Sequence, residues 1–272
     1  MTRRHIFKAS MLVLLACYFA VGCLLTWQQE RFIFPQTVNV LNAATLDKSA
    51  YTTLAMPDGV RLSGVVFPAT APHAPLVLAF GGNAHDVTGL VHYLHAIYQD
   101  RASVAGFSYR GYPNNAGFTS EGTPSEHALF ADALTQYDTF IAQLSPTTVV
   151  AVGYSLGTAV ATHVAAQRPI SQLALVTPFT SMVAMGQHRY PLYPVGLLLR
   201  HRLEVAKVLP QLASTTIHLL VAEHDGLIPP NHAPILRQAA GVHLGQYATA
   251  PATHGTIFDA PEAVTFLEKL LP

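Results

Sequence analysis

From Ala9 to Gln29 the chain carries no charged side chain, and its centre reads MLVLLACYFAVGCLLTW. Arg3, Arg4, His5 and Lys8 precede this run, and Glu30 and Arg31 follow it. As a helix it is long enough to cross a hydrocarbon layer of ~30 Å, and it is apolar on every face, unlike a helix buried in a soluble core. Trp27 closes it where an indole suits the membrane interface.

Beyond residue 50 the pattern changes to short apolar runs alternating with longer amphipathic ones. YTTLAMPDGVRLSGVVF (51–67) reads as a hairpin around the turn Pro57-Asp58-Gly59. Residues 75–80 form a wholly apolar run of the kind found in strands buried on both faces. Further strands are predicted over 103–109, 148–152, 173–177, 217–221 and 243–248, and helices over 86–99, 125–143, 156–167, 234–240 and 262–270. This βαβα rhythm predicts an α/β domain with a mostly parallel central sheet and helices on both faces. Residues 178–215 interrupt it with Met182, Met185, Tyr190, Tyr193 and two prolines, and are expected to form a small cap insertion. The expected organisation is a membrane anchor over 1–29, a connector over 30–50 that spans at most about 70 Å if extended, and the α/β domain over 51–272.

Composition narrows the function classes. Lys+Arg and Asp+Glu balance at 15 each, so no net field favours nucleic acid or another polyanion. The two cysteines, Cys17 and Cys23, both lie in the apolar run, which leaves the rest of the chain without disulfides or thiolate metal sites. The run itself admits three readings: an uncleaved anchor, a lipoprotein signal acylated at Cys23 (AVGC, with LLAC before Cys17 as the weaker variant), or a cleaved signal peptide. The anchor is preferred, because no Ala-x-Ala-like site follows. The basic flank places the N-terminus in the cytoplasm and the domain on the other side, which in a bacterium is periplasmic.

Gly153-Tyr154-Ser155-Leu156-Gly157 matches G-x-S-x-G, preceded by a predicted strand and followed by a predicted helix. That context suits a serine held on a sharp strand-to-helix turn, with small neighbours that let backbone and substrate approach. A serine hydroxyl needs a base, and in such folds an acid and then a histidine follow it along the chain. Asp225 comes just after the strand 217–221, whereas Glu223 falls early and Asp259 falls at the start of the last helix. Among 14 histidines, His254 alone sits in a loop after a strand with glycine next, while His243 is expected inside a strand and His224 and His232 in the acid loop. Oxyanion donors are expected from the backbone N–H of Leu156 and of Asn83, which follows Gly81-Gly82. His92-x-x-His95 with His85 nearby has no carboxylate or cysteine at helical spacing and is expected to be a solvated helix face. Arg110, in Tyr109-Arg110-Gly111-Tyr112, is expected to be structural and packed under the site.

The motifs QQERFIFPQ, PDGVRLSG, FGGNAHD, FSYRGY, GTPSE, GYSLG, HDGLIPP and THG, behind an N-terminal anchor, resemble the membrane-anchored α/β-hydrolase-domain serine hydrolases that include protein depalmitoylases. The resemblance implies the α/β-hydrolase fold, a triad of Ser155, Asp225 and His254, and an oxyanion loop at Asn83. It departs from the family in having Gly81-Gly82 in place of His-Gly, Ser108 in place of an aspartate, and a longer Pro113–Ser120 stretch. The expected activity is hydrolysis of carboxylic esters or thioesters through an acyl-serine, on small or acylated, lipid-linked substrates, with no cofactor or metal. An aminopeptidase-like activity and a non-catalytic membrane-anchored binding protein are the alternatives. The peptidase lacks an acidic cluster to hold a free amino terminus.

Overall fold

The computed structural model describes residues 3–36, 50–114 and 117–271. Helix α1 (Arg3–Trp27) is followed by a short helix α2 (Gln29–Ile33). The chain then runs β1 (Tyr51–Ala55), β2 (Arg61–Phe67), β3 (Leu76–Phe80), α3 (Val87–Tyr98), β4 (Ser103–Phe107), α4 (Glu126–Leu144), β5 (Val149–Tyr154) and α5 (Leu156–Gln167). It continues with β6 (Gln172–Val176), α6 (Met182–Arg189), α7 (Val195–Leu198), β7 (Thr216–Ala222), α8 (His232–Ala240), β8 (Leu244–Ala250) and α9 (Pro261–Glu268).

The eight strands form one sheet in the order β1-β2-β4-β3-β5-β6-β7-β8. β2 is antiparallel to both of its neighbours, and the pairs from β4 across to β8 are parallel. Alternation along the strands divides two cores. In β3, Leu76, Leu78 and Phe80 face α4, α5 and α8, while Val77 and Ala79 face α3 and α9. The same period of two sends Val150 and Val152 to one face and Val149 and Ala151 to the other. A strand covered on both sides has no polar face to show, which is why 75–80 reads as a continuous apolar run.

Side chains set the helix starts. Asp86, Ser125 and Ser181 each accept a backbone N–H from the first turn of α3, α4 and α6. The predicted hairpin turn is present, with Gly59 at a φ of 86°. Two expectations need revision at the edges. His243 ends a 3-10 turn before β8 rather than lying in the strand. His92 and His95 do not form a solvated face: they pack against Phe67 of β2, His95 stacking on its ring at 4.0 Å. Of the expected connector, 37–49 lie outside the described residues, while Ile33 and Phe34 are buried in the core that α4 and α5 cover.

Arg110 joins three elements. Its guanidinium grips Asp132 of α4 in a bidentate pair at 2.8 and 2.7 Å, and reaches Asp58 of the hairpin turn at 2.6 Å. The Asp132 side chain is only 5% exposed, so its removal leaves a nearly buried guanidinium short of its main counterion. We expect Asp132→Ala to lower stability by about 3 kcal/mol in chemical denaturation. A loss below about 1 kcal/mol would show that Asp58 and water suffice.

Candidate active site

The β5–α5 junction is a sharp turn. Ser155 sits there with φ 50° and ψ −114°, a region that L-residues seldom adopt, and its N–H donates to the Val176 carbonyl at 2.9 Å. Both flanking glycines are required by space. A Cβ on Gly157 would collide with the Phe80 carbonyl oxygen and lie 2.5 Å from its carbon, and one on Gly153 would lie 2.7 Å from the carbonyl carbon of Gly157. The strand and helix can therefore approach closely, which holds Ser155 at the C-terminal edge of the sheet. Leu156 is the first residue of α5, so its N–H has no intrahelical partner.

Two other strand ends bring partners to the serine. His254, in the turn after β8, places Nε2 2.9 Å from Ser155 Oγ, and its Nδ1 lies 2.8 Å from Asp225 Oδ2. Asp225 follows β7, and its other oxygen accepts the N–H groups of Leu227 and Ile228 at 2.9 and 2.8 Å. Burial by itself would raise the Asp225 carboxyl, but the His254 hydrogen bond, the two amides and the imidazole charge outweigh it and hold it below the ordinary aspartate value. A lowered native value means that the ionised form stabilises the fold at neutral pH. That contribution is complete above the unfolded value of about 4 and is lost as pH falls through the native one. Tyr154 buttresses the histidine by donating from its hydroxyl to the His254 carbonyl at 2.9 Å.

The β3–α3 loop faces the same point. A Cβ on Gly82 would sit 2.8 Å from the Tyr154 ring and 3.3 Å from Ser155 Cβ, so this backbone lies against the serine. Tyr109 donates to the Gly81 carbonyl and Tyr112 to Asn83 Oδ1, both at 2.8 Å. Sequence reasoning missed these two braces. Their signal in the sequence is the Tyr-Arg-Gly-Tyr motif, whose two tyrosines flank Arg110. His85, in the same loop, packs edge-on against Tyr154, and burial pushes its imidazole down to about 4, so it is neutral at physiological pH.

The structure thus brings Ser155, His254, Asp225, Asn83 and Leu156 to one corner of the sheet. The other weighed residues lie elsewhere in the bonding. Glu223 accepts from Thr249, and Asp259 ends the turn before α9. His232 accepts the Thr180 N–H at 3.0 Å. Among the described residues, no group of three His, Cys, Asp or Glu side chains is placed to hold a metal. An apolar cavity of ≈ 410 Å³ opens beside Asn83 and Leu227. As an arrangement, a hydroxyl hydrogen-bonded to an imidazole, itself held by a carboxylate, can transfer a proton as the oxygen attacks an electrophile.

Comparison with known proteins agrees with the fold. The chain is 32% identical over 232 residues to the uncharacterized protein Rv2307c of Mycobacterium tuberculosis H37Rv, covering 83% of this chain and 80% of that protein. No family model matches the chain. Among solved structures, the Pyrococcus furiosus esterase Pf2001 superimposes with a TM-score of 0.63 at 15% identity, covering 88% of this chain and 97% of the esterase. The enol-lactonase of Burkholderia xenovorans LB400 does so at 0.58 and 14%, covering 80% and 97%. These likenesses show an α/β-hydrolase fold.

The glycine argument is directly testable. Gly157→Ala should lose about 2 kcal/mol or more of stability, because a backbone carbonyl cannot swing aside as a side chain does. A G157A protein with an unchanged unfolding midpoint would mean that α5 and the end of β3 approach less closely than described.

Proposed function

The chain belongs to the family of the mycobacterial protein Rv2307c and has the α/β-hydrolase fold, and on that premise we propose that it is a serine hydrolase cleaving carboxylic esters or thioesters. The observation that carries this reading is the unbroken chain Ser155 Oγ, His254 and Asp225, with steps of 2.9 and 2.8 Å, at a serine whose φ is 50°.

In this mechanism Ser155 Oγ attacks the carbonyl carbon as its proton passes to His254 Nε2. The carbonyl π electrons move onto oxygen, which the N–H groups of Leu156 and Asn83 stabilise; one such donor contributes about 3–4 kcal/mol. Collapse expels the alcohol or thiol, which takes the proton from His254 and leaves an acyl-serine. Water then attacks this ester, again giving its proton to the imidazole, and the carboxylic acid and free serine are released. Asp225 holds the Nδ1–H tautomer and stabilises the transient imidazolium. Tyr112 acts at one remove, by fixing the Asn83 side chain and with it the loop that carries the donor.

The membrane context extends this reading. The 18 residues Ser10–Trp27 have a mean hydropathy of 2.0 and are 6% buried, as suits a helix surrounded by lipid. We take α1 as an uncleaved anchor, with the α/β body on the extracytoplasmic side and 178–215 as a cap. Together with the motifs shared with depalmitoylase-like hydrolases, this favours acylated or lipid-linked substrates.

A fluorophosphonate probe should label the wild type and leave Ser155→Ala unlabelled. Folded wild type that resists labelling would remove the serine-hydrolase reading. Asp225→Asn should lower ester kcat by roughly 10³–10⁴-fold, since the wrong imidazole tautomer then faces the serine. Tyr112→Phe should lower kcat about fivefold, the worth of one hydrogen bond, with KM little changed. A change confined to KM would assign Tyr112 to substrate binding instead.

A further inference from the structure

Helix α1 is attached to the body along one stripe, at Tyr18, Gly22, Leu25 and Thr26, a spacing that places all four on one helical face, and the attachment continues at Gln29, the first residue of α2. Tyr18 stacks flat on Tyr193, with centroids 4.6 Å apart and planes 4° from parallel. Its hydroxyl donates to the Leu192 carbonyl at 2.7 Å, while the Tyr193 hydroxyl donates to the Tyr18 carbonyl at 3.2 Å. In α2, Gln29 Oε1 accepts the Arg200 N–H at 2.8 Å. Gly22 permits the approach, because a Cβ there would stand 3.0 Å from the Tyr193 ring. A helix that served only as a tether would have no need of these contacts.

The ≈ 410 Å³ cavity lies between this stripe and the 178–215 segment. Gly22, Leu25 and Thr26 form one wall, and Met182, Met185 and Tyr193 form the other. Asn83 and Leu227 border it on the side of Ser155. Its volume is that of a ligand site. Around it, Leu192 and Leu197 are 80% and 87% exposed, an arrangement suited to hydrocarbon and costly in water. Tyr18 precedes Trp27 by about 14 Å along the helix, so a tip that grips Tyr18 lies within the leaflet when α1 spans the bilayer.

We propose that α1 is a wall of the substrate site, and that the cavity takes the long acyl chain of an ester or thioester entering sideways from the bilayer between α1 and the 192–198 tip. The proposal rests on the serine-hydrolase reading and adds to it the route and the residues that select chain length. Met182 and Met185 in its lining give a cavity that is apolar and adaptable in shape.

The test uses the full-length protein in lipid nanodiscs and two alkyl fluorophosphonates, ethyl and hexadecyl, with the rate of Ser155 labelling as readout. Wild type should react at least tenfold faster with the hexadecyl probe. Leu25→Trp, which fills the cavity, should cut the ratio of hexadecyl to ethyl rates at least fivefold. Val242→Trp, at a residue 94% exposed outside the site, should keep the wild-type ratio. If L25W is not recovered folded, Thr26→Trp reads the same ratio from the same wall. Equal ratios in L25W and V242W, a uniform fall with both probes, or a wild type indifferent to chain length would each overturn the proposal while leaving the serine-hydrolase reading in place. Wild type that reacts with neither probe overturns both.

Discussion

The close approach of β5 and α5 is the constraint on which the site depends. The helix leaves the strand so abruptly that a Cβ on Gly153 would meet the Gly157 carbonyl, Gly157 itself lies against the Phe80 carbonyl of β3, and Ser155 takes a positive φ to make the turn. Such a conformation costs free energy, of order 1–3 kcal/mol, and persists only where its surroundings over-determine it. Here they do: β5 is buried along its whole length, with β3 and β6 on either side, and α5 is buried over most of its surface. The sheet thus acts as the rigid frame that holds a strained residue at its edge.

The same edge gathers groups that lie far apart along the chain. Strand ends at β3, β5, β7 and β8 supply the loop of Asn83, the serine, the aspartate and the histidine, because parallel strands all terminate on one side. Hydrogen bonds then align them. Tyr109 and Tyr112 hold the β3 loop from one flank, Tyr154 holds the His254 backbone from below, and two amides fix the Asp225 carboxylate. Arg110, between the two tyrosines, ties their loop to α4 through Asp132. The burial of these groups keeps the alignment stiff, since a rotated side chain would leave a buried polar atom unpaired.

The N-terminal helix introduces a second environment. Its exposed faces carry Leu14, Phe19 and Trp27, while one stripe makes hydrogen bonds to the 178–215 segment through Tyr18. The body is therefore tied to the apolar helix by side chains as well as by chain connectivity. The serine site and a long apolar helix so joined have a fixed geometry relative to each other, which a flexible tether could not provide.

Much of the fold was legible because it is written in local periodicity. Alternation of two gave the hairpin, continuous apolar runs gave the buried strands, and Gly153 and Gly157 around Ser155 marked a turn that few other residues could make. The apolar run 11–27 predicted a helix long and apolar enough to cross a membrane. Other features depend on contacts between distant segments, which leave no local trace. That Asp225 meets His254 while Glu223 bonds Thr249 is a matter of where two loops cross. His92 and His95 looked solvent-facing until Phe67 of another strand covered them. Tyr18 and Tyr193 stack across 175 residues of chain. Local pattern was enough for the strands and main helices of the α/β body and for the turn at Ser155, since each needs only its neighbours, whereas α2, α6 and α7 were not foreseen. The tertiary structure decided which side chains bond, which loops are braced and where the apolar helix rests, since those energies arise only when remote surfaces meet.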